Sequence, residues 1–285
     1  FSFDLKLLKR AVFSVIYGDL FMKLINATRP YEIEKGSAEA IYENWKERLF
    51  QNIENKDWKE FSQNIAQIVE EYDSLPIHED LKKPRVGVVG EILVKYHPDA
   101  NNNIVDVIES EGGEAVVPEL ADFFTYCLKN PEFNYRQLSG SYKSYVFSRF
   151  GLRLIYSYRK PMTEALRKSK RFKPAAHIDE IAEKAEKITS LGEQCGEGWY
   201  LVGEMMEFID DGVENIVCMQ PFACLPNHVV GKGVFRPIRD YCSTANVVAI
   251  DYDPGASRVN QLNRIKLMMT VAHRNLKAKE ASDIS

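Results

Sequence analysis

Cysteine is scarce: five in 285 residues, an odd number with no C-x-x-C pair. That excludes a disulfide framework and fits a reducing, cytoplasmic setting. It also excludes a ferredoxin-type local motif, so any iron–sulfur cluster needs cysteines gathered by tertiary structure. A Walker A motif is missing, so ATP hydrolysis within the chain is not expected. So is the nucleophile elbow G-x-S-x-G. Residues 87–92, GVVGEI, do not make the dinucleotide fingerprint G-x-G-x-x-G. No apolar run approaches the ~18 residues of a membrane span, and no signal peptide is visible. A net charge of −4 leaves no electrostatic case for nucleic acid or an anionic membrane as partner. An initiator Met is absent, Phe1 standing first, which reads as a fragment or a processed chain.

What is present is ordinary for a globular protein: 45% hydrophobic and 27% charged residues, with length for one or two domains and a sizeable core. Residues 1–83 read as a helical region. Leu5, Leu8, Val12, Val15 and Ile16 recur at helical spacing, as do Ile41, Trp45, Leu49 and Ile53. Pro30 interrupts them, and Ser37 is the expected cap of a helix from Ala38. Residues 74–84, SLPIHEDLKKP, read as a connector.

From residue 84 to 285 the pattern changes to α/β, with Rossmann-like parallel sheet units. RVGVVG at 85–90 is a buried parallel strand, 102–111 a helix closed by Gly112-Gly113, and 115–117 a second strand. A short helix over 122–129 carries Cys127. Residues 130–190, aromatic and basic, are a helical insertion in the sheet domain. A helix from about Gly198 is stopped by Gly212. Strand 216–219, a loop with Cys224, a helix across 229–241, strand 247–251 and a helix over 257–270 complete the pattern. No internal repeat stands out.

Candidate chemistry gathers where strands end, since ligands of open α/β sheets collect at strand carboxyl ends. Cys224 follows a strand between Pro221 and Pro226; it reads as a metal or cluster ligand, or as a small buried hydrophobe. Asn227 and His228 could hydrogen-bond a sulfur or a substrate carbonyl, and Asn227 could equally cap a helix. Cys195 lies among Gly192, Gly196 and Gly198, which permit close backbone approach to a cluster or phosphate. Cys127 in FFTYCLKN is a ligand or a core residue. Cys218 and Cys242 are structural. Glu91, directly after the first strand, could be an acid, a base or a salt-bridge partner. Asn101, Asn102 and Asn103 offer caps. Asp251 and Asp253 could bind a cation, although Asp253-Pro254-Gly255 is more simply a turn. The basic stretch 153–173 could meet a CoA phosphate or be a solvated helix face.

The stretch 84–127, PRVGVVGEILVKYHPDANNNIVDVIESEGGEAVVPELADFFTYC, and the ending NVVAIDYDPGASRVNQLNRIKLMM resemble the 2-hydroxyacyl-CoA dehydratase component and benzoyl-CoA reductase subunit superfamily. RPYE, ANNNIV, GEGW, MQPF and CLPNHVVGKG are similar to the C-terminal region of large acyl-CoA dehydratase activase-related proteins. The resemblance covers nearly the whole chain. It implies a [4Fe–4S] or double-cubane [8Fe–9S] cluster held by cysteines of separate subdomains. Cys127 and Cys224 match ligand positions, whereas Cys195 lies where the large proteins often have Met. A first ligand is implied from an upstream subdomain that this chain does not contain, so the cluster could be missing from a lone fragment. The implied partners are an ATP-hydrolysing activator, which delivers one electron, and an acyl-CoA substrate, reduced to a ketyl radical. Glu91 or His228 would then be base or hydrogen-bond donor. Oligomeric state is left open.

Two functions compete. One is an iron–sulfur redox module, part of a lyase or a cluster-based reductase. The other is a non-catalytic α/β domain that docks the activase ATPase or a partner protein. Convergence of the Cys127, Cys195 and Cys224 sulfurs within roughly 4–8 Å would favour the first.

Overall fold

The structure, a computed structural model, describes residues 5–253 and 255–283. Three helices come first: α1 (Leu5–Thr28), α2 (Ser37–Asn55) and α3 (Trp58–Ser74). Strand β1 (Arg85–Gly90) leads through α4 (Ile92–Tyr96) and α5 (Ile104–Ser110) to β2 (Glu114–Val116). Helices α6 (Leu120–Gln137), α7 (Tyr142–Lys168), α8 (Ile178–Ala185) and α9 (Gly198–Asp210) follow. Then come β3 (Asn215–Gln220), a π-type turn (Asn227–Gly231), α10 (Phe235–Tyr241), β4 (Asn246–Asp251) and α11 (Arg258–Asp283).

The chain forms two compact units: Phe1–Leu81 with Glu119–Ala175, and Lys82–Pro118 with Ala176–Ser285. The helical stretch expected at 130–190 as an insertion in the sheet domain therefore runs from 119 to 175 and belongs with the N-terminal helices. Packing explains the grouping. Met162, Leu166 and Phe172 bury into the same core as Phe13, Leu20, Phe61 and Ile65, so α7 completes a face that three helices alone leave open.

Local chemistry sets the helix ends of this unit. Ser37 is not a cap but the first residue of α2, behind Gly36 at φ 88°. The Glu32 carboxylate caps instead, accepting from Gly36 N at 2.6 Å and Ala38 N at 3.1 Å. Asp57 caps α3, accepting from Lys59 N and Glu60 N. Helix α6 runs through Pro131 to Gln137 rather than ending at residue 129. Buried Tyr126 and Glu132 on α6, and its close packing where Gly151 of α7 meets Leu128, outweigh the lost N–H.

Helix α1 lies in a stretch, Lys6–Tyr31, long and apolar enough by composition to cross a membrane, with mean hydropathy 1.2. Half of that window is buried inside the protein, and Phe13, Ile16, Leu20 and Leu24 lie in the core.

Its Asp19 and Lys23 join a buried charge network. Arg159 on α7 grips Glu119 and reaches Asp122 at 2.6 Å, and Lys23 reaches Glu119 at 2.8 Å. Asp19 accepts Leu120 N at 2.7 Å and Ala121 N at 2.9 Å at the start of α6. Three carboxylates thus face two cations. Burial pushes the Asp19 carboxyl up to about 8, reinforced by Glu119. Burial opposes ionisation of Glu119 too, but Lys23 and Arg159 outweigh it and hold that carboxyl at about 2.

The second unit is built on an all-parallel sheet in the order β2-β1-β3-β4. In β1 and β3 every residue but the first is buried, as expected of strands covered on both faces. Each crossover carries helices, and α9 packs its Leu201, Met205 and Phe208 into the core beneath β1 and β3. From β1 the chain passes to β2 on one side, and β3 then lies on the other side of β1. The strand order therefore switches between β1 and β3. At that edge Gly90 has φ 136°, and a Cβ there would lie 1.9 Å from Met219 O. Only glycine fits.

Several boundaries moved. The helix expected over 102–111 begins at Ile104, behind Asn102 and Asn103 at φ 55° and 56°, and α4 precedes it. Asn tolerates that left-handed conformation. The helix expected across 229–241 breaks into the π-type turn, a 3-10 turn (Lys232–Val234) and α10, because Gly231 packs on Cys218 Sγ and Leu201. The last helix runs on to Asp283. The turn at Asp253 has its hydrogen bond from Ala256 N to Asp253 O at 2.9 Å; Pro254 lies outside the described residues.

Burial holds the folded Asp19 carboxyl well above the usual carboxylate range. The native state therefore binds the extra proton, and stability falls as pH rises through the window from about 4 to about 8. Urea denaturation should register a loss on the order of a few kcal/mol over that window, flattened in Asp19→Asn. Gly90→Ala should destabilise the protein by roughly 3 kcal/mol or more in the same assay, since both φ and Met219 O forbid a Cβ.

Candidate functional site

The carboxyl ends of β1 and β3, where the strand order switches, carry most of the candidate residues of the α/β unit. Glu91 leaves β1 with its N–H on Met219 O at 3.0 Å. Its carboxylate caps α4, accepting Val94 N at 2.9 Å. Past β3 the chain turns tightly: Cys224 N donates to Pro221 O at 3.2 Å, and Ala223 is held at φ 60°. A non-glycine residue there costs about 1–2 kcal/mol. Phe222 and Leu225, on either side, are 77% and 70% exposed.

Asn227 begins the π-type turn and is fully buried. Its Nδ2 donates to Cys224 Sγ at 3.2 Å and to Glu197 Oε2 at 3.2 Å, so both amide hydrogens are used. Its Oδ1 is buried without a hydrogen-bond partner among the described residues. Glu197 is itself buried, and its Oε1 accepts Ile92 N at 3.1 Å. One carboxylate thus ties the start of α4, the start of α9 and the Cys224 loop together. Asn227 acts here as a sulfur donor rather than a helix cap.

The Cys195 loop lies against the same place. Gly196 has φ 59°, and a Cβ on it would sit 3.0 Å from the Pro226 ring. Cys195 is exposed, and its carbonyl accepts Gly198 N at 3.0 Å ahead of α9. The structure therefore brings the Cys195 and Cys224 loops together in the α/β unit. Cys127 belongs to the helical unit, as a surface residue of α6 whose thiol partial burial pushes up. Among the described residues no three His, Cys, Asp or Glu side chains are grouped to hold a metal ion.

The remaining candidates have defined places. His228 Nδ1 lies 2.9 Å from Cys224 O, within the turn. Asp251 pairs with Lys232 at 2.9 Å and with Gln220 Nε2 at 2.7 Å. Burial opposes its ionisation, but Lys232, Gln220 and His228 outweigh that and hold its carboxyl below the usual range. Asp253 Oδ1 accepts Phe222 N at 2.8 Å. Asn101 caps α5 through Ile104 N, and Asn102 donates to Gln261. Cys218 is sealed in β3, where burial pushes its thiol up to about 12. Cys242 closes α10 beside Thr244. In the basic stretch, Arg159 is buried in the charge network and Arg171 donates to Leu75 O and Thr28 Oγ1. Neither is a solvated cation for a phosphate.

Below the edge, Lys95 of α4 and Glu204 of α9 form a buried ion pair at 2.7 Å. The chain matches no family model, no curated protein and no solved structure. Glu197, Lys95, Glu204 and Gln220 are the polar residues that sequence reasoning passed over. Nothing in their spacing signals burial; only the position of Glu197 two residues after Cys195 points to it.

Glu197→Ala would strand Ile92 N and one Asn227 hydrogen without a partner. It should cost about 2 kcal/mol of stability by urea denaturation. Hydrogen exchange should speed up across residues 221–231 and leave α1 to α3 unchanged.

Proposed function

We propose that the chain is the iron–sulfur redox module of a 2-hydroxyacyl-CoA dehydratase-like system. It takes a low-potential electron from an ATP-hydrolysing activator and passes it to a substrate such as an acyl-CoA thioester. That makes it part of a lyase or of an ATP-dependent reductase, in a cytoplasmic setting where thiolates stay reduced. The observation that supports this reading best is the meeting of the Cys195 and Cys224 loops at the β1/β3 switch point, where open parallel sheets bind ligands.

A [4Fe–4S] or double-cubane cluster needs soft thiolates, donors to sulfur and shelter from water. The Cys224 loop supplies the first two: a thiol, and the Asn227 N–H on its sulfur. The ligand set within the α/β unit is partial, because two thiols do not make four ligands. Cys195 and Cys224 would hold the cluster, with residues from outside the α/β unit as the remaining ligands. When bound, the cluster supplies one-electron chemistry at low potential.

The chain's own residues have separate tasks. Asn227 Nδ2 draws charge from the Cys224 sulfur, and Glu197 keeps the amide turned that way. His228 Nδ1 is turned to Cys224 O, which can only accept, so in the neutral ring Nδ1 carries the hydrogen and Nε2 is left as the acceptor that would take a proton as base. Glu91 stands at the same edge, where its Oε2 accepts Val94 N as a cap and its second oxygen would be the one to act as base.

Anaerobic reconstitution tests the reading through iron and sulfide content and electron paramagnetic resonance. Cys224→Ser should lose the bound iron and the signal, whereas Cys242→Ser should keep both. Unchanged iron in Cys224→Ser would sink the assignment.

A further inference from the structure

Helix α7 carries apolar residues on two opposite faces. Leu152, Met162 and Leu166 lie on its buried side. Tyr142, Val146, Phe150 and Leu154 recur every fourth residue on the other side, and Phe147 fills the neighbouring row. All five are exposed, Phe147 by 73% and Phe150 by 64%. A helix apolar all round is ordinarily a buried helix.

Charge decides what would cover it. Residues 133–163 contain six cations and no Asp or Glu, in a chain of net charge −4. Arg149, Arg153 and Lys160 are exposed and form a row roughly 16 Å long on one flank of the apolar face. Among the described residues Arg149 reaches only the Glu132 carboxylate, at 3.8 Å, and Lys160 only that of Glu164, at 3.7 Å. Arg153 has no carboxylate partner among the described residues. A second copy docking through this stretch would bring further cations to the row, and the carboxylates that border it, Glu132 and Glu164, are already paired with Arg149 and Lys160. A membrane-surface helix keeps its polar side in water, whereas here the opposite side of α7 is the protein core.

We infer that this face of α7 docks an amphipathic helix of a partner protein that carries an apolar stripe beside a row of Asp or Glu. Aromatic side chains supply the contact area. The arginines pair with the acidic row and set register and orientation, as flanking charges do between packed helices. The inference rests on the helical unit alone and is independent of the cluster reading.

Fluorescence anisotropy tests it with two labelled synthetic helical peptides of about 20 residues, enough to span the face. Both have a Leu/Phe stripe; one has a flanking row of Glu and the other a row of Lys. The wild-type chain should bind the Glu peptide and not the Lys peptide, more weakly as salt is raised. Arg149→Glu/Arg153→Glu should invert that preference. Phe147→Ser/Phe150→Ser should weaken binding roughly tenfold or more, with a thermal melt matching wild type because both rings are exposed. Equal binding of the two peptides, no binding of either, or a preference unmoved by charge reversal would overturn the inference. So would binding to phosphatidylglycerol vesicles in place of the Glu peptide.

Discussion

The α/β unit depends on the closeness of β1 to β3 at their carboxyl ends. Gly90 pairs with Met219, and Glu91 N still reaches Met219 O one residue later. No side chain fits between them. This pairing makes β1 an inner strand with neighbours on both sides. The chain then turns toward β2 on one side of it and arrives at β3 on the other. The crevice that such a reversal opens is where Glu197, Asn227 and Cys224 meet. Moving that junction by one residue would change which groups face each other there.

Buried polar groups hold both units, in different ways. In the helical unit, five charged side chains are gathered where α1, α6 and α7 meet, and the surplus carboxylate is met by holding a proton. Such a network specifies one arrangement of helices, because any other would leave a buried charge without its partner. At the sheet edge, Glu197 and Asn227 spend their hydrogen bonds on aiming an amide at a sulfur, and Asn227 Oδ1 is left without one. An unsatisfied buried oxygen of this kind costs about 1–3 kcal/mol. Together with the left-handed Ala223, it marks the Cys224 loop as shaped by more than stability.

Strands β1, β3 and β4 were legible because their β-branched runs end at Gly, at Gln-Pro and at an acidic turn. Gly198 and Gly212 bracket α9 much as they stand in the sequence. The breaks were harder. Asn130-Pro131 reads as a helix end, yet α6 continues because α7 packs along it. The run 229–241 reads as one helix, yet Gly231 is pulled onto Cys218 and the helix divides. In both cases a contact distant in sequence outweighed local preference. The same holds for the site. Cys224 stood out by its place after a strand, whereas Glu197, which positions its surroundings, looks in sequence like any surface glutamate.

What the sequence determined by itself was the kind of elements: a helical first part, a parallel α/β second part, and cysteines set at strand and helix junctions. Period, glycine placement and β-branching carry that information locally. Only the tertiary structure decided that 119–175 joins the N-terminal helices, and that the Cys195 and Cys224 loops touch while Cys127 lies in the other unit. It alone decided, too, that α7 keeps an apolar face outside. These depend on which apolar stripes find each other and which buried charges are paired. Those are energies between residues far apart in the chain, which no local pattern records.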